Sequence, residues 1–370
     1  MNKKLIPVAD PHANYLSHKA TIDSAIQKVL DSGWYILGSV TREFEQNFAQ
    51  FIGVKHCIGV NSGTDAIVLA LRALDIGAGD EVITVSLTAV ATVAAIELVG
   101  ATPVLCDIDP ETRCIDPAKI EALITEKTKA ILPVHLYGHP ADMSALKAIA
   151  ERHQLYLMED CAQAHGAQIN TQMLGSFGDV SCFSFYPTKN LGAIGDGGAV
   201  CTNDDALADK LRWLREYGWK DRYISSFQGM NTRLDEIQAA ILNAKLAHLE
   251  EETLKRIAIA EIYHQELAEI ELVLPSVKPG CRHVYHLYVI ETERRNQLQS
   301  YLREQAIASA IHYPQAVHQQ PAYLNRLPGS NQLSVTEALI PRILSLPMYP
   351  ELKADDQARV IEAIRAFFLQ

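Results

Sequence analysis

Basic charge is what this sequence is short of. Its 33 lysines and arginines stand against 44 aspartates and glutamates, leaving a formal charge of −11. Such a surface repels phosphate backbones and anionic bilayers, which excludes nucleic acid and membrane surfaces as general partners. A small anionic ligand stays compatible, given a pocket with local positive charge. Long apolar runs are also missing. The most apolar window, residues 84–106, is interrupted by Glu97 and Pro103, so no segment reads as a membrane span. The basic opening, Met1 to Pro7, is too short for a secretory signal. The 7 cysteines are odd in number and never spaced C-x-x-C. That excludes a disulfide framework and a zinc ribbon, and suits reduced thiols in a cytoplasm. A Walker motif is absent, and no G-x-G-x-x-G follows the first strand, which disfavours P-loop and dinucleotide sites. Internal repeats, low-complexity tracts and glycine–serine linkers are absent too.

What is present is apolar bulk and alternation. With 370 residues, 48% of them hydrophobic, the chain can bury more than one nucleus. Between residues 56 and 202, short apolar runs alternate with helical patterns. Strands are expected at His56–Val60, Glu81–Val85, 103–107, 129–134 and 155–159, with helices at 64–74, 88–99, 117–124 and 143–152. This order predicts a mostly parallel sheet with helices on both faces. Runs 180–185 and Gly198–Thr202 read as two further strands with no helix between them, adding an antiparallel element. Residues 204–217 read as a helix and 233–266 as one long helix, from apolar positions such as Leu234, Ile237, Ile241 and Leu249. Segments 285–291, 297–305 and 358–368 suggest a small α+β unit. The expected division is a large α/β domain over 1–245, N-terminal arm included, and a small domain over 246–370.

Three loops on this sheet carry chemistry. Gly63-Thr64 follows the strand ending at Val60, Asp160 follows the strand ending at Glu159, and Lys189 follows the strand ending at Phe185. Ligands of open α/β sheets sit beyond the carboxyl ends of strands, so these loops can meet over one edge. At Asn61-Ser62-Gly63-Thr64-Asp65 a helix opens, and its free amides and dipole suit a phosphate. Ser62 or Thr64 as an ordinary helix cap is the commoner role of such residues. Asp160 can pair with a protonated pyridine nitrogen and keep the ring cationic, which makes pyridoxal phosphate an electron sink. A cap or loop acid is again the plainer alternative. Gln163 can donate to the ring's phenolate oxygen, while His165 can support Asp160 from behind or, equally, be a plain buried histidine. Lys189 can hold an aldehyde as a Schiff base, its amine made nucleophilic by burial. The glycines at 192, 195, 197 and 198 imply a tight path around that amine, or equally a plain turn, and Ser184 can reach the phosphate.

The Asp160-Cys161-Ala162-Gln163-Ala164-His165-Gly166 run, the stretch from Ser184 to Gly198, and the run from Gly229 to Ala240 together resemble the DegT/DnrJ/StrS-type nucleotide-sugar aminotransferases. The resemblance extends from Trp34 to Pro314. It implies an aspartate-aminotransferase-like fold (type I) and a homodimer with shared sites. Lys189 is then the Schiff-base lysine, Asp160 the pyridinium partner and Gln163 the contact to the ring oxygen. Gly63, Thr64 and Ser184 hold the phosphate, with Asn231 reaching in from the partner subunit. Tyr186, Arg233, His312 and Tyr313 line the sugar-nucleotide site. Pyridoxal 5'-phosphate is the implied cofactor, glutamate the implied amine donor. The phrase from Phe185 to Gly192, with Ala89, looks most like enzymes that aminate C3 of dTDP-3-keto-6-deoxyhexoses for bacterial surface glycans. A UDP-linked keto sugar, aminated at C3 or C4, is the alternative. One departure stands out: many relatives carry an aromatic residue where this chain has Ala89, so stacking on the ring must come from elsewhere or be weaker. The retained lysine argues against the dehydratase branch, in which a histidine replaces it.

Rival readings are weaker. A non-catalytic, regulatory member of the fold is opposed by the intact Lys189, Asp160 and Gln163 set. A metal site at His135 and His139 is opposed by Gly138 and Pro140, which break any helix that would face them together. His283 and His286 read as core or pocket residues. Arg212, Arg215, Lys220 and Arg222 read as a solvated face, or as a neutraliser of a diphosphate.

Overall fold

The computed structural model describes residues 4–369, so the first three residues of the basic opening lie outside it. Its centre is a seven-stranded sheet. In spatial order the strands are His56–Val60, Gly198–Thr202, Val180–Ser184, Tyr156–Asp160, Thr128–Ile131, Glu81–Val85 and Thr102–Cys106. All neighbours are parallel except Gly198–Thr202, which runs against both of its partners. The expected antiparallel element is therefore this one strand, inserted between two that point the same way.

Apolar residues on both faces explain why these strands are central. One face packs Ile58, Val82, Met158 and Val200 under the helices Gly63–Ala73, Val90–Leu98 and Asp205–Leu214. The other packs Ile83, Ile131, Leu157 and Phe183 under Ser39–Ile52, Met143–His153 and Glu236–Leu246. Strands covered on both faces are what parallel sheets require. A third cluster joins Tyr263, Tyr288, Leu346 and Ile364 from Leu249–Leu267, the antiparallel pair Tyr288–Glu291 and Ile343–Leu346, and the helix Ala354–Phe368. Ile6, from the N-terminal arm, packs in this third cluster and bridges to Ile307. No helix among the described residues is long and apolar enough to cross a membrane.

Local detail departs from the periodicity in three places. The segment 233–266 is two helices, Glu236–Leu246 and Leu249–Leu267, separated at Ala247 and His248. His248 stacks on His18 at 4.3 Å, a tertiary contact that no periodic pattern announces. Residues 117–124 form two single-turn 3₁₀ elements, with Ile120 as their buried anchor. Helices Pro11–Ser17, Lys19–Ser32 and Ser39–Ile52 lie outside the alternating region. The last begins where Glu236 accepts the amides of Gly38, Val40 and Thr41, so a carboxylate from a distant helix satisfies its free N–H groups.

A candidate cofactor site at the sheet edge

The strand leading to Lys189 is fixed from below by aromatics. Phe185 meets Phe44 and Phe48 edge-on at 5.3 Å each, and Phe183 meets Phe48 at 5.0 Å. Such pairs contribute about 0.5–1.5 kcal/mol each beyond area burial. The chain then loops over this base through Lys189 to Gly192. A Cβ on Gly192 would lie 2.5 Å from the Pro187 carbonyl oxygen, so only glycine lets the loop close. Lys245, itself buried, donates to the Gly192 carbonyl at 2.6 Å. Asn190 bonds the Val284 carbonyl and His286. The loop is thereby tied to the helix Glu236–Leu246 and to the 284–286 segment.

Lys189 is half-buried and lines a cleft together with Pro187, Asn190 and Lys245. Burial lowers its pKa to about 8, with Asp160 acting in the opposite sense. Asp160 is buried, and burial raises its pKa. The Ala162 amide, the Thr92 hydroxyl and Lys189 work against that rise. Three histidines feel the same amine: burial first, then Lys189, lowers the pKa of His165, His286 and His312. That of His165 falls to about 3.

Gly63 and Ser184 meet directly. A Cβ on Gly63 would lie 2.6 Å from that of Ser184. The sheet register explains it, because Gly198 pairs with both Val60 and Ser184 at the same edge. Ser62 is the helix cap, accepting from Asp65 N at 3.1 Å. The first intrahelical bond runs from Ala66 to Ser62, which leaves the Gly63 and Thr64 amides ahead of the ladder and pointing off the helix end. Capping and phosphate binding are thus compatible at one helix start.

Gln163 is held at both ends. Its carbonyl oxygen accepts from the Tyr137 amide at 2.7 Å, and its amide nitrogen donates to the Tyr313 hydroxyl at 3.1 Å. Tyr313 is mostly buried, which raises its pKa to about 12. The Tyr137 hydroxyl donates to the His312 carbonyl, and His312 Nδ1 lies 2.8 Å from the Ser345 hydroxyl. Farther along, His318 Nδ1 sits 2.7 Å from the Ser86 hydroxyl and its Nε2 is 3.1 Å from Glu337. The 312–318 loop is therefore pinned to the edge of the sheet.

Lys189, Asp160, Gln163, Gly63, Thr64, Ser184, His312 and Tyr313 are thus on one edge. Three expected residues stand apart. Tyr186 is 53% exposed, Asn231 is exposed, and Arg233 pairs with Glu216 at 3.8 Å. Thr232, between the last two, docks on the phosphate loop through Asn61 N and Asp65.

Two readings need correction. His165 does not hydrogen-bond to Asp160; it lies between Phe183 and Phe185, with centroids at 5.5 and 5.7 Å. The group behind Asp160 is Thr92, whose hydroxyl donates at 2.9 Å and is itself 2.9 Å from that of Thr88. The i,i+4 spacing of these threonines was the available signal. The basic cluster is also not one solvated face, since Arg215 is buried on Glu45 and the Gly59 carbonyl. His135 belongs to a different group, with Glu159 and Cys161. Its Nδ1 accepts from Ala141, and the Glu159 oxygens accept from Gly175, Phe177, Gly178 and His135. Those lone pairs are engaged in holding loops.

Pyridoxal 5'-phosphate fits the set. The amides of Gly63 and Thr64 with the Ser184 hydroxyl suit its phosphate, Asp160 keeps lone pairs free for a ring N–H, and the Lys189 amine suits its aldehyde. Comparison with known proteins agrees. The sequence pattern of the DegT/DnrJ/EryC1/StrS aminotransferase family matches residues 17–365. A dTDP-3-amino-3,4,6-trideoxy-alpha-D-glucose transaminase of Streptomyces venezuelae is 46% identical over 361 residues, covering 97% of this chain and 95% of that one. A UDP-N-acetyl-3-dehydro-alpha-D-glucosamine 3-aminotransferase of Acidithiobacillus ferrooxidans is 47% identical, covering 97% of each. The crystal structure of S. venezuelae DesV in complex with a ketimine intermediate superposes with a TM-score of 0.97 at 45% identity, covering 100% of both chains. A match of this length, on a fold that brings the lysine to the acid, means that the chain belongs to the DegT/DnrJ/EryC1/StrS family of pyridoxal-phosphate-dependent aminotransferases.

Proposed function

We propose that this enzyme transfers an amino group from L-glutamate to C3 of a dTDP-linked 3-keto-6-deoxyhexose, with Lys189 as its catalytic residue. The observation that carries the reading is the placement of Lys189, whose amine burial lowers to about 8, at the same sheet edge as the buried Asp160 carboxylate. Bound pyridoxal phosphate supplies the electron sink for breaking a bond at the donor's α-carbon. Asp160 would hold the ring nitrogen's proton, and Gln163 would orient the ring oxygen from its Tyr137 anchor. Lys189 Nζ would take the proton from the glutamate α-carbon and deliver it to the carbon on the other side of the amino nitrogen, after which water would cleave the carbon–nitrogen bond and release 2-oxoglutarate. The same amine would run the shift in reverse once the keto sugar replaces the donor. An amine of pKa near 8 can both take and return a proton near neutral pH.

The site would be completed by a second copy of the chain. Asn231 would reach the partner's phosphate, and Tyr186, Arg233, His312 and Tyr313 would surround the sugar nucleotide. The exposure of Tyr186 and Asn231 supports that reading. A cytoplasmic location is supported by the reduced state and burial of six of the cysteines. The relative that acts on a UDP sugar, at an identity level with that of the dTDP enzyme, favours UDP-linked keto sugars as the second reading.

The test is a panel of dTDP- and UDP-linked 3-keto and 4-keto sugars incubated with glutamate. Equimolar 2-oxoglutarate is expected with the dTDP-3-keto-6-deoxyhexose. Turnover with a UDP sugar alone would correct the nucleotide, and turnover with none would reject the reading.

A further inference from the structure

We infer that the Thr88–Thr92 hydroxyl pair is a directional hydrogen-bond relay that holds Asp160 ionised and aimed, making Thr92 a positioning residue for the cofactor ring. This deepens the proposed function and rests on Asp160 facing that ring. All three residues are buried. Asp160 Oδ1 accepts from Ala162 N at 3.1 Å, and Oδ2 accepts from the Thr92 hydroxyl at 2.9 Å. An ionised carboxylate only accepts, so the Thr92 proton must point at Asp160. The Thr92 oxygen is then free to accept, and the Thr88 hydroxyl, 2.9 Å away, must be its donor. With Asp160 ionised, the direction is Thr88 to Thr92 to Asp160. Reversal would leave a buried carboxylate oxygen without a donor.

The fold explains the arrangement. Thr88 lies just past the Glu81–Val85 strand, and Thr92 sits in the first turn of Val90–Leu98, so strand end and helix start deliver the two hydroxyls together. Burial drives Asp160 toward its neutral form, and the hydroxyl opposes that drive. A neutral carboxyl could not hold a ring proton.

The experiment compares Thr92→Val, Thr92→Ser and Thr88→Val, each checked for thermal stability. Two quantities are read: pyridoxal phosphate affinity, by cofactor fluorescence, and the pH titration of the bound cofactor's visible absorption. Loss of a hydrogen bond to a charged group predicts roughly ten- to hundred-fold weaker cofactor binding in Thr92→Val, with a displaced titration. Thr92→Ser, which keeps the hydroxyl, should match the parent protein, and Thr88→Val should fall between. Equal behaviour of Thr92→Val and Thr92→Ser, whether both normal or both damaged, would overturn the relay. Should Thr92→Val not fold, an unchanged titration in Thr88→Val would overturn it instead. Failure of the parent protein to bind pyridoxal phosphate would fall on the proposed function itself.

Discussion

The two halves of the site are built differently. The half proposed to hold the cofactor, around Lys189, Asp160, Gln163, Gly63 and Ser184, is gathered and packed within one chain: its carboxylate is buried, its amide is held at both ends, and its glycine touches its serine. Tyr186 and Arg233, proposed to meet the sugar nucleotide, and Asn231, proposed to reach the partner's cofactor phosphate, lie toward the surface, with Arg233 paired to Glu216 at 3.8 Å. The difference follows from what each half must do. An electron sink needs a dry, fixed pair of charges, which a packed sheet edge provides. A large, hydrated nucleotide sugar must enter and leave, so its contacts belong on accessible segments.

The contrast can be broken most severely at Lys189. Lys189→Ala should lower turnover by roughly a hundred- to ten-thousand-fold, the usual contribution of a positioned acid–base group. Mixing that variant with Asn231→Ala should return activity, because each heterodimer regains one intact site. Absence of recovery in demonstrated heterodimers would show that Asn231 does not cross to the partner's phosphate.

A smaller effect is expected at the phosphate cradle. Gly63→Val puts its Cβ 2.6 Å from that of Ser184, and forced overpacking should weaken cofactor affinity by roughly ten- to a hundred-fold. Equilibrium titration with pyridoxal phosphate reads this directly. Unchanged affinity would mean that the two loops separate freely. The smallest effect is a pH profile. With the Lys189 pKa lowered from 10.5 to about 8, the amine is protonated below that pH and free above it. Capture of pyridoxal phosphate by cofactor-free enzyme should accelerate about tenfold per pH unit on the acid side and level off above about 8. Stopped-flow absorbance measures the rate. A plateau reached only near 10.5 would mean a solvated amine, and the cofactor half would lose its distinction from the surface.

Chain order alone determined the alternating strands and helices, and with them the strand ends at which Gly63, Asp160 and Lys189 lie. Those features are local. Apolar period, glycine placement and the sheet-edge rule act over a few residues and do not depend on the rest of the fold. Only the tertiary structure decided that Thr92 rather than His165 stands behind Asp160, that Arg215 is buried on Glu45, and that the helix run 233–266 breaks at His248 against His18. Each of these is a contact between segments far apart in the chain. A histidine, an arginine or an apolar period is spelled the same way whether its partner is water, a phenylalanine or a carboxylate. Which partner it meets is settled only when distant surfaces pack and buried polar groups must each find a bond.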